Sequence, residues 1–264
     1  MDRFRKGDHG TPAALRFEAA GLRWLAQAAA DGGAAVVEVL AEGPGWLETR
    51  RMTERRPAPA DAEELGRALA RTHAAGAPHL GCPPPGWDGE GFMGRARLPL
   101  GGDPGRSWGE FYAADRVLPY LSAAVANGSV DAYGERVVRR CAERLATGAL
   151  DAPQPGLVKN PAARLHGDLW SGNVLWAAAD GHVEATLIDP AAHGGHAESD
   201  LAQLAVFGAP HLDRIVRAYD EVSPLADGWR ERVGLHQLHM LVVHAALFGG
   251  SYGAKTVRTA ARYA

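Results

Sequence analysis

The sequence of 264 residues contains only two cysteines, Cys82 and Cys141, set far apart. A disulfide framework and a cysteine-based metal cage are both excluded by that count and spacing, and the two thiols are expected as reduced packing residues of a cytoplasmic protein. Excess charge of one sign is lacking as well. The formal net charge is −3, which gives no electrostatic footprint for nucleic acid or an anionic membrane. No long apolar run is present: the most apolar late stretch, LHMLVVHAALFGG, is too short to span a bilayer and carries two histidines. The first residues, MDRFRKGDHG, have no apolar segment of the kind that a secretory signal needs. Internal repeats and low-complexity tails are also missing. What remains is a chain long enough to bury a substantial core, as one large domain or two lobes.

The pattern along the chain favours two lobes. RFRK reads as a short strand carrying Lys6. After a polar loop, PAALRFEAAGLRWLAQAAADGG has helical spacing, with Leu15, Leu22 and Leu25 near one face, Trp24 beside them and Gly32-Gly33 as the stop. AAVVEVLAEGPGWLETRRM predicts two strands around Gly-Pro-Gly. TERRPAPAD is a polar, Pro-containing connection and divides a small unit, residues 1–53, from a larger one, residues 54–264. In the larger unit Asp61 and Glu64 have capping-box spacing ahead of ELGRALARTHAAG, which Gly76 ends. Residues 77–105 are rich in Gly and Pro and are expected to be irregular. Ser107 and Glu110 repeat the capping-box spacing before a helix that Pro119 should kink or split. DAYGERVVRRCAERLATG, HLDRIVRAYDEV and WRERVGLHQLHMLVVHAALF predict further helices. Strands early, helices late and one hairpin between them predict a two-lobed α+β fold.

Chemistry is concentrated in LHGDLWSGNVLW. His166, Gly167, Asp168 and Asn173 give H-G-D-x-x-x-x-N, the spacing of the protein-kinase catalytic loop with Gly in place of Arg. Phosphoryl transfer needs a carboxylate beside the attacking hydroxyl and a neutral oxygen ligand for Mg²⁺ nearby. A capped turn would explain an isolated Asp168 and Asn173 equally well. The segment that follows decides between these. VLW and ATLI are strand-like, with Asp180-Gly181 as a tight turn between them. Paired strands lie about 5 Å apart, so a hairpin makes neighbours of Asn173 and Asp189. Together they form an all-oxygen set suited to Mg²⁺. Lys6 on a strand and Glu18 on the next helix match the pair that holds the α- and β-phosphates in kinases.

Other polar residues have plainer readings. His193 and His196 lie near Asp189 but lack a ligand set for a transition metal. Asp200 is expected to cap a helix or to hold the backbone of the catalytic loop. His236, His239 and His244 are expected as hydrogen-bonded histidines of a half-buried helix, and Trp24 and Trp108 as core. Trp170 is open between core and a flat surface for a sugar ring.

HGDLWSGNVLW followed by LIDPAAHGGHAESDLAQLAVFG resembles the fructosamine kinase (ketosamine kinase) family, which shares the aminoglycoside-phosphotransferase and protein-kinase-like fold. ELGRALARTHAAGAP, SWGEFYAADRVLPYL and LHQLHMLVVHAALFGGSY extend the resemblance over nearly the whole chain from Lys6. It implies ATP- and Mg²⁺-dependent phosphorylation of a sugar hydroxyl on a ketosamine, a small-molecule adduct of sugar and amine, in deglycation. Asp168 would be the base, Asn173 and Asp189 the metal ligands, and Lys6 and Glu18 the phosphate-holding pair. The hinge strand should run through Thr49–Met52, with Thr49 and Arg51 at the nucleotide. Trp170, His166 and His196 would stand near the substrate, and a monomer is expected. The sequence departs from the family's pattern in three places. Two strands and a phosphate-covering loop usually precede the lysine strand, so either the true start lies upstream of Met1 or the nucleotide site is incomplete. Ala197 stands where the family has Arg, and Arg50 lies where an acidic residue is common. The alternatives are a small-molecule kinase of the aminoglycoside or choline type, and a degraded kinase kept as a binding module.

Overall fold

A computed structural model describes residues 2–7, 11–179 and 182–264 of the chain. The smaller part contains β1 (Arg3–Gly7), α1 (Pro12–Ala26), β2 (Ala35–Val36), β3 (Val39–Gly43) and β4 (Trp46–Arg50). The larger part begins with α2 (Pro59–Ala74), the strands β5 (Gly91–Met93) and β6 (Ala96–Leu98), and the helices α3 (Trp108–Phe111), α4 (Leu118–Ala126) and α5 (Ala132–Ala146). It continues through β7 (Ala163–Leu165), β8 (Val174–Ala179), β9 (His182–Leu187) and β10 (His193–Gly195) to α6 (Glu198–Val206), α7 (Leu212–Val222), α8 (Trp229–Phe248) and α9 (Ser251–Ala260). A small sheet joined to a mainly helical lobe is the expected two-lobed α+β architecture.

The small sheet has the order β1-β4-β3, all antiparallel, with Lys6 opposite Leu47. Pro44 and Gly45 turn β3 into β4, and Gly45 has φ +74° as the second central residue of such a turn requires. α1 starts on Pro12, whose missing N–H costs nothing in a first turn. It buries Leu15, Leu22, Trp24 and Leu25, runs on as a 3₁₀ turn, and stops where Gly32 adopts φ +76°. The stretch predicted as two strands also yields β2, which leaves the small sheet and pairs in parallel with β9 of the β8–β9 hairpin. The two parts of the chain are therefore joined by a backbone ladder. Asp180-Gly181, predicted as the turn of that hairpin, and residues 8–10 of the predicted polar loop lie outside the described residues.

Two local expectations are corrected. Asp61 does not cap α2: Pro59 fixes an earlier start, and Asp61 sits one turn in, accepting a hydrogen bond from the Ala58 N–H at 2.7 Å. Residues 77–105 are not wholly irregular, because β5 and β6 form a short hairpin within them. Three-residue strands are too brief to show a period. They persist because Phe92, Met93, Ala96 and Leu98 pack against Phe17 of α1 and against Tyr120 and Val243. Ser107 and Glu110 make both bonds of the predicted capping box. Pro119 has the predicted effect, since the chain widens into a π-turn over Tyr112–Val117 between α3 and α4.

One core cluster joins α4, α5 and α8 through Leu121, Val138, Cys141, Leu145 and Leu238. A second joins α2, α6 and α7 to the β8–β9 hairpin through Leu65, Leu69, Leu187, Leu204 and Ile215. Cys82 and Cys141 are buried and unlinked, and Trp24 and Trp108 are core residues. Among the described residues no helix is long and apolar enough to cross a membrane.

Helices α2 and α7 approach most closely at Gly66, where a Cβ would come within 2.1 Å of the Ile215 carbonyl oxygen. Gly66→Ala is therefore expected to push the helices apart and cost about 1–3 kcal/mol. Urea unfolding checks this; a midpoint equal to that of the parent would contradict the close approach.

Candidate active site

The loop after β7 carries His166, Gly167 and Asp168, and α6 holds it from beneath. Asp200, which is 1% exposed, accepts the His166 N–H at 2.7 Å through Oδ2 and the Gly167 N–H at 2.9 Å through Oδ1. His73 reaches Oδ2 at 3.2 Å and is oriented by the Tyr219 hydroxyl at 2.9 Å. Burial works against the Asp200 charge, yet His73 and the loop amides hold its carboxyl below the usual range. Gln203, one turn on, accepts the Leu169 N–H at 2.7 Å and donates to the Gly167 carbonyl at 3.2 Å. Gly167 has φ +82°, and a Cβ there would lie 2.2 Å from the Ala191 carbonyl oxygen. The glycine of H-G-D thus has a steric cause in this chain.

The hairpin then delivers the second carboxylate. Val174 pairs with Leu187, and the Ile188 N–H donates to the Asn173 carbonyl at 3.0 Å. Asn173 and Asp189 are neighbours just beyond that rung. The Asn173 amide nitrogen donates to the Asp168 carbonyl at 2.8 Å, to Asp168 Oδ2 at 3.2 Å and to the Asp189 carbonyl at 3.4 Å. Its carboxamide oxygen makes no hydrogen bond among the described residues, and Asn173 lines the cavity described below. Asp189 has φ +52°, directly before Pro190. A non-glycine residue in that region costs about 1–3 kcal/mol, and such strain gathers at functional sites.

Lys6 completes the group. Its Nζ lies 2.8 Å from Glu18 Oε2 and 3.0 Å from Asp189 Oδ1. Burial opposes the Lys6 charge, but Glu18 and Asp189 outweigh it and raise the ammonium's pKa. Burial pushes the Glu18 carboxyl up to about 7 against the pull of Lys6. It also pushes Asp168 up to about 7; the Asn173 hydrogen bond opposes this, and the charges of Asp189 and Asp200 add to it.

Three cavities meet at these residues. The central one, about 370 Å³, is lined by Lys6, Glu18, Asp168, Asn173 and Asp189. A second, about 250 Å³, shares Lys6, Glu18 and Asp189 and continues to Thr49, Arg51 and Met52. A third, about 570 Å³, shares Arg95, Asp168 and Trp170 and continues to Phe207, His244 and Tyr252. Trp170 is exposed and stands edge-on to Phe207 at 5.8 Å.

His166 and His196 do not join them. His166 is buried, with Nε2 on the Ile188 carbonyl at 2.8 Å and Nδ1 accepting the Asp168 N–H at 3.3 Å. His196 is buried against Trp108 and His236, with Nε2 on the Ala152 carbonyl at 3.2 Å. Neither ring has a free nitrogen turned to a cavity, so the expected substrate contact is corrected for both. His193 is likewise committed, to the Ala191 carbonyl at 2.8 Å. His196, Glu198 and His236 do bring ligand atoms within 4.8 Å of one another. However, Arg232 grips Glu198 through both oxygens at 2.9 and 2.6 Å, so a guanidinium already occupies the place of a cation. Arg95, Phe207, His244, Phe248 and Tyr252 were missed in the sequence. The irregularity of residues 77–105 pointed toward Arg95, and the other four lie in stretches that carry the family resemblance without a role being read for them at the site.

Comparison with known proteins identifies the family. The sequence pattern of the fructosamine kinase family matches residues 7–263, and the chain belongs to that family. A candidate fructosamine-3-kinase from Thermobifida fusca superposes with a TM-score of 0.84 and 40% identity, over 99% of this chain and 85% of that one. A "Probable ketoamine kinase" of Enterococcus faecium is 30% identical over 80% of this chain and 67% of its own length. The chloroplastic protein-ribulosamine 3-kinase of Arabidopsis thaliana is 32% identical over 72% of this chain and 53% of its own length. The matched segments thus span about half to two thirds of these curated relatives. An aminoglycoside-3′-phosphotransferase of type VIII, at 22% identity and a TM-score of 0.51, shares the fold.

Asp200→Ala would leave the His166 and Gly167 amides and His73 without their acceptor. The expected cost is about 2–4 kcal/mol, read from urea unfolding, together with faster hydrogen exchange at the two amides. Unchanged stability and unchanged exchange would show that Asp200 does not hold the loop.

Proposed function

We propose that this member of the fructosamine kinase family transfers the γ-phosphate of ATP to a sugar hydroxyl of a ketosamine, the adduct of a sugar with an amine. The observation that carries this reading is that Lys6, Asp189, Asn173 and Asp168 line one central cavity, with a further cavity opening at each end of it. The names of the relatives, ketoamine kinase, ribulosamine 3-kinase and fructosamine-3-kinase, support the choice of acceptor.

In this reading the cavity at Thr49 and Arg51, within residues 1–53, takes the adenine end of the nucleotide. Lys6 reaches the α- and β-phosphates, and Glu18 keeps its ammonium aimed along the cavity. The Asn173 carboxamide oxygen and the Asp189 carboxylate make a hard, all-oxygen donor set that fits Mg²⁺. Bound there, Mg²⁺ supplies charge neutralisation for the phosphate oxygens. On the acceptor side, Trp170 offers a flat face to the sugar. Asp168 takes the hydroxyl proton as that oxygen bonds to the γ-phosphorus and the bond to the β-phosphate oxygen breaks. ADP and the phosphorylated adduct leave. A phosphorylated ketosamine is unstable, so the reaction would serve removal of early glycation products.

The acceptor cavity bears on the aminoglycoside alternative. A polycationic drug calls for several carboxylates, and among the described lining residues Asp168 is the only one, with Arg95 beside it. The intact Lys6–Glu18–Asp189 chain of ion pairs supports catalysis over a degraded binding module.

Asp168→Asn is expected to lower kcat by about 10²- to 10⁴-fold while the Mg-ATP dissociation constant stays near that of the parent. Turnover matching the parent would remove Asp168 from the role of base. Asp189→Ala is expected to weaken Mg-ATP binding by about tenfold or more, measured by titration calorimetry. An unaltered dissociation constant would take the metal role away from it.

A further inference from the structure

We propose that Arg95 binds the carboxylate of the acceptor, so that the preferred substrate is the ketosamine of a free amino acid with an apolar side chain; this rests on the kinase reading above. Arg95 stands at the tip of the β5–β6 hairpin. Met93 pairs with Ala96, which leaves Gly94 and Arg95 as a two-residue turn, and Gly94 has φ +58°. Glycine first in such a turn belongs to the tight type whose twist suits a hairpin. The turn is anchored by buried Phe92, Met93, Ala96 and Leu98. A long cationic side chain is thereby carried on a rigid support at the edge of the site.

Among the described residues the Arg95 guanidinium has no ion pair and no hydrogen bond, whereas Arg97, two positions on, is paired with Glu90 at 2.6 Å. Arg95 lines both the central cavity and the acceptor cavity, as do Asp168 and Trp170. Among the described residues it is the only permanently cationic one lining the acceptor cavity. His244 in the same wall is neutral in character: burial lowers its pKa, and Nδ1 donates to the Met240 carbonyl at 2.8 Å.

The rest of the wall is apolar. Val243, Leu247, Phe248, Phe207 and Tyr252 continue outward from Trp170. At about 570 Å³ the cavity falls in the range that encloses a whole small ligand, so the amine portion of an adduct has a place as well as the sugar. In the adduct of a free α-amino acid, a carboxylate lies one carbon from the amine and a few bonds from the reacting sugar hydroxyl. In a glycated lysine side chain of a protein, no carboxylate lies there. A planar guanidinium meets a carboxylate through two parallel hydrogen bonds, and the aromatic wall suits an apolar side chain.

The test compares the ketosamine of phenylalanine with that of phenylalanine amide, which differ only in the carboxylate. With the parent protein the acid is expected to show a KM about tenfold or more below that of the amide. In Arg95→Gln that ratio should collapse toward one. Direct titration of each adduct without ATP, followed by tryptophan fluorescence, should show the same difference in Kd. Phosphorylation of acid and amide with equal KM would overturn the Arg95 assignment and leave the kinase reading standing. A rise in the KM for ATP in Arg95→Gln, with the acid–amide ratio intact, would assign Arg95 to the nucleotide phosphates and overturn the proposal. Tighter binding of the acid, lost in Arg95→Gln, with no phosphoryl transfer to either adduct, would sustain Arg95 as the carboxylate group and sink the kinase reading.

Discussion

The geometry of the site hangs on one buried carboxylate that accepts two consecutive backbone N–H groups. Asp200 takes the amides of His166 and Gly167 and so fixes the direction in which Asp168 leaves the loop. Burying that charge away from water would be costly without partners. His73 supplies one from α2, and Tyr219 on α7 orients His73. The close packing of α2 on α7 and the seat of α6 against both are thus part of how one loop is held. Gln203, on the same helix as Asp200, secures the next residues of that loop.

Above this support, charge balance governs the site. Glu18, Asp168 and Asp189 face one cavity, and Lys6 is the ammonium between two of them. The raised pKa values of Glu18 and Asp168 come first from burial, and the charge of Asp189 adds to each. A cation with bound phosphates fits that balance better than an apolar ligand would. The unfavourable backbone of Asp189 points the same way, since the surrounding structure holds a strained carboxylate where a relaxed one would turn elsewhere.

Much of this was legible in the sequence, and the reasons are local. H-G-D-x-x-x-x-N is a short loop, and two strand-like runs follow it, so Asn173 and Asp189 had to become neighbours once the hairpin formed. Lys6 on a strand and Glu18 on the next helix were readable as a pair, and they meet at 2.8 Å. Asp200 was readable as a support for the loop, though not His73 as its partner, because 127 positions separate the two. His166 and His196 were placed near the substrate by the resemblance alone. In the fold their ring nitrogens are taken by main-chain groups on neighbouring segments. The β5–β6 hairpin was invisible because each strand is three residues long and is stabilised by helices from elsewhere in the chain.

The sequence by itself determined the class of fold, the loop with its carboxylate and carboxamide, and the hairpin that brings Asp189 beside them. The loop and the hairpin are each set by spacing within one short segment, and the class of fold by the order of strands and helices along the chain. Only the tertiary structure decided what lines the cavity beside Asp168 and Trp170. Arg95 from a hairpin tip, Phe207 from the end of α6 and His244 from α8 share no motif and no spacing. They converge because packed helices and buried side chains bring distant segments together, and that convergence is a property of the whole core.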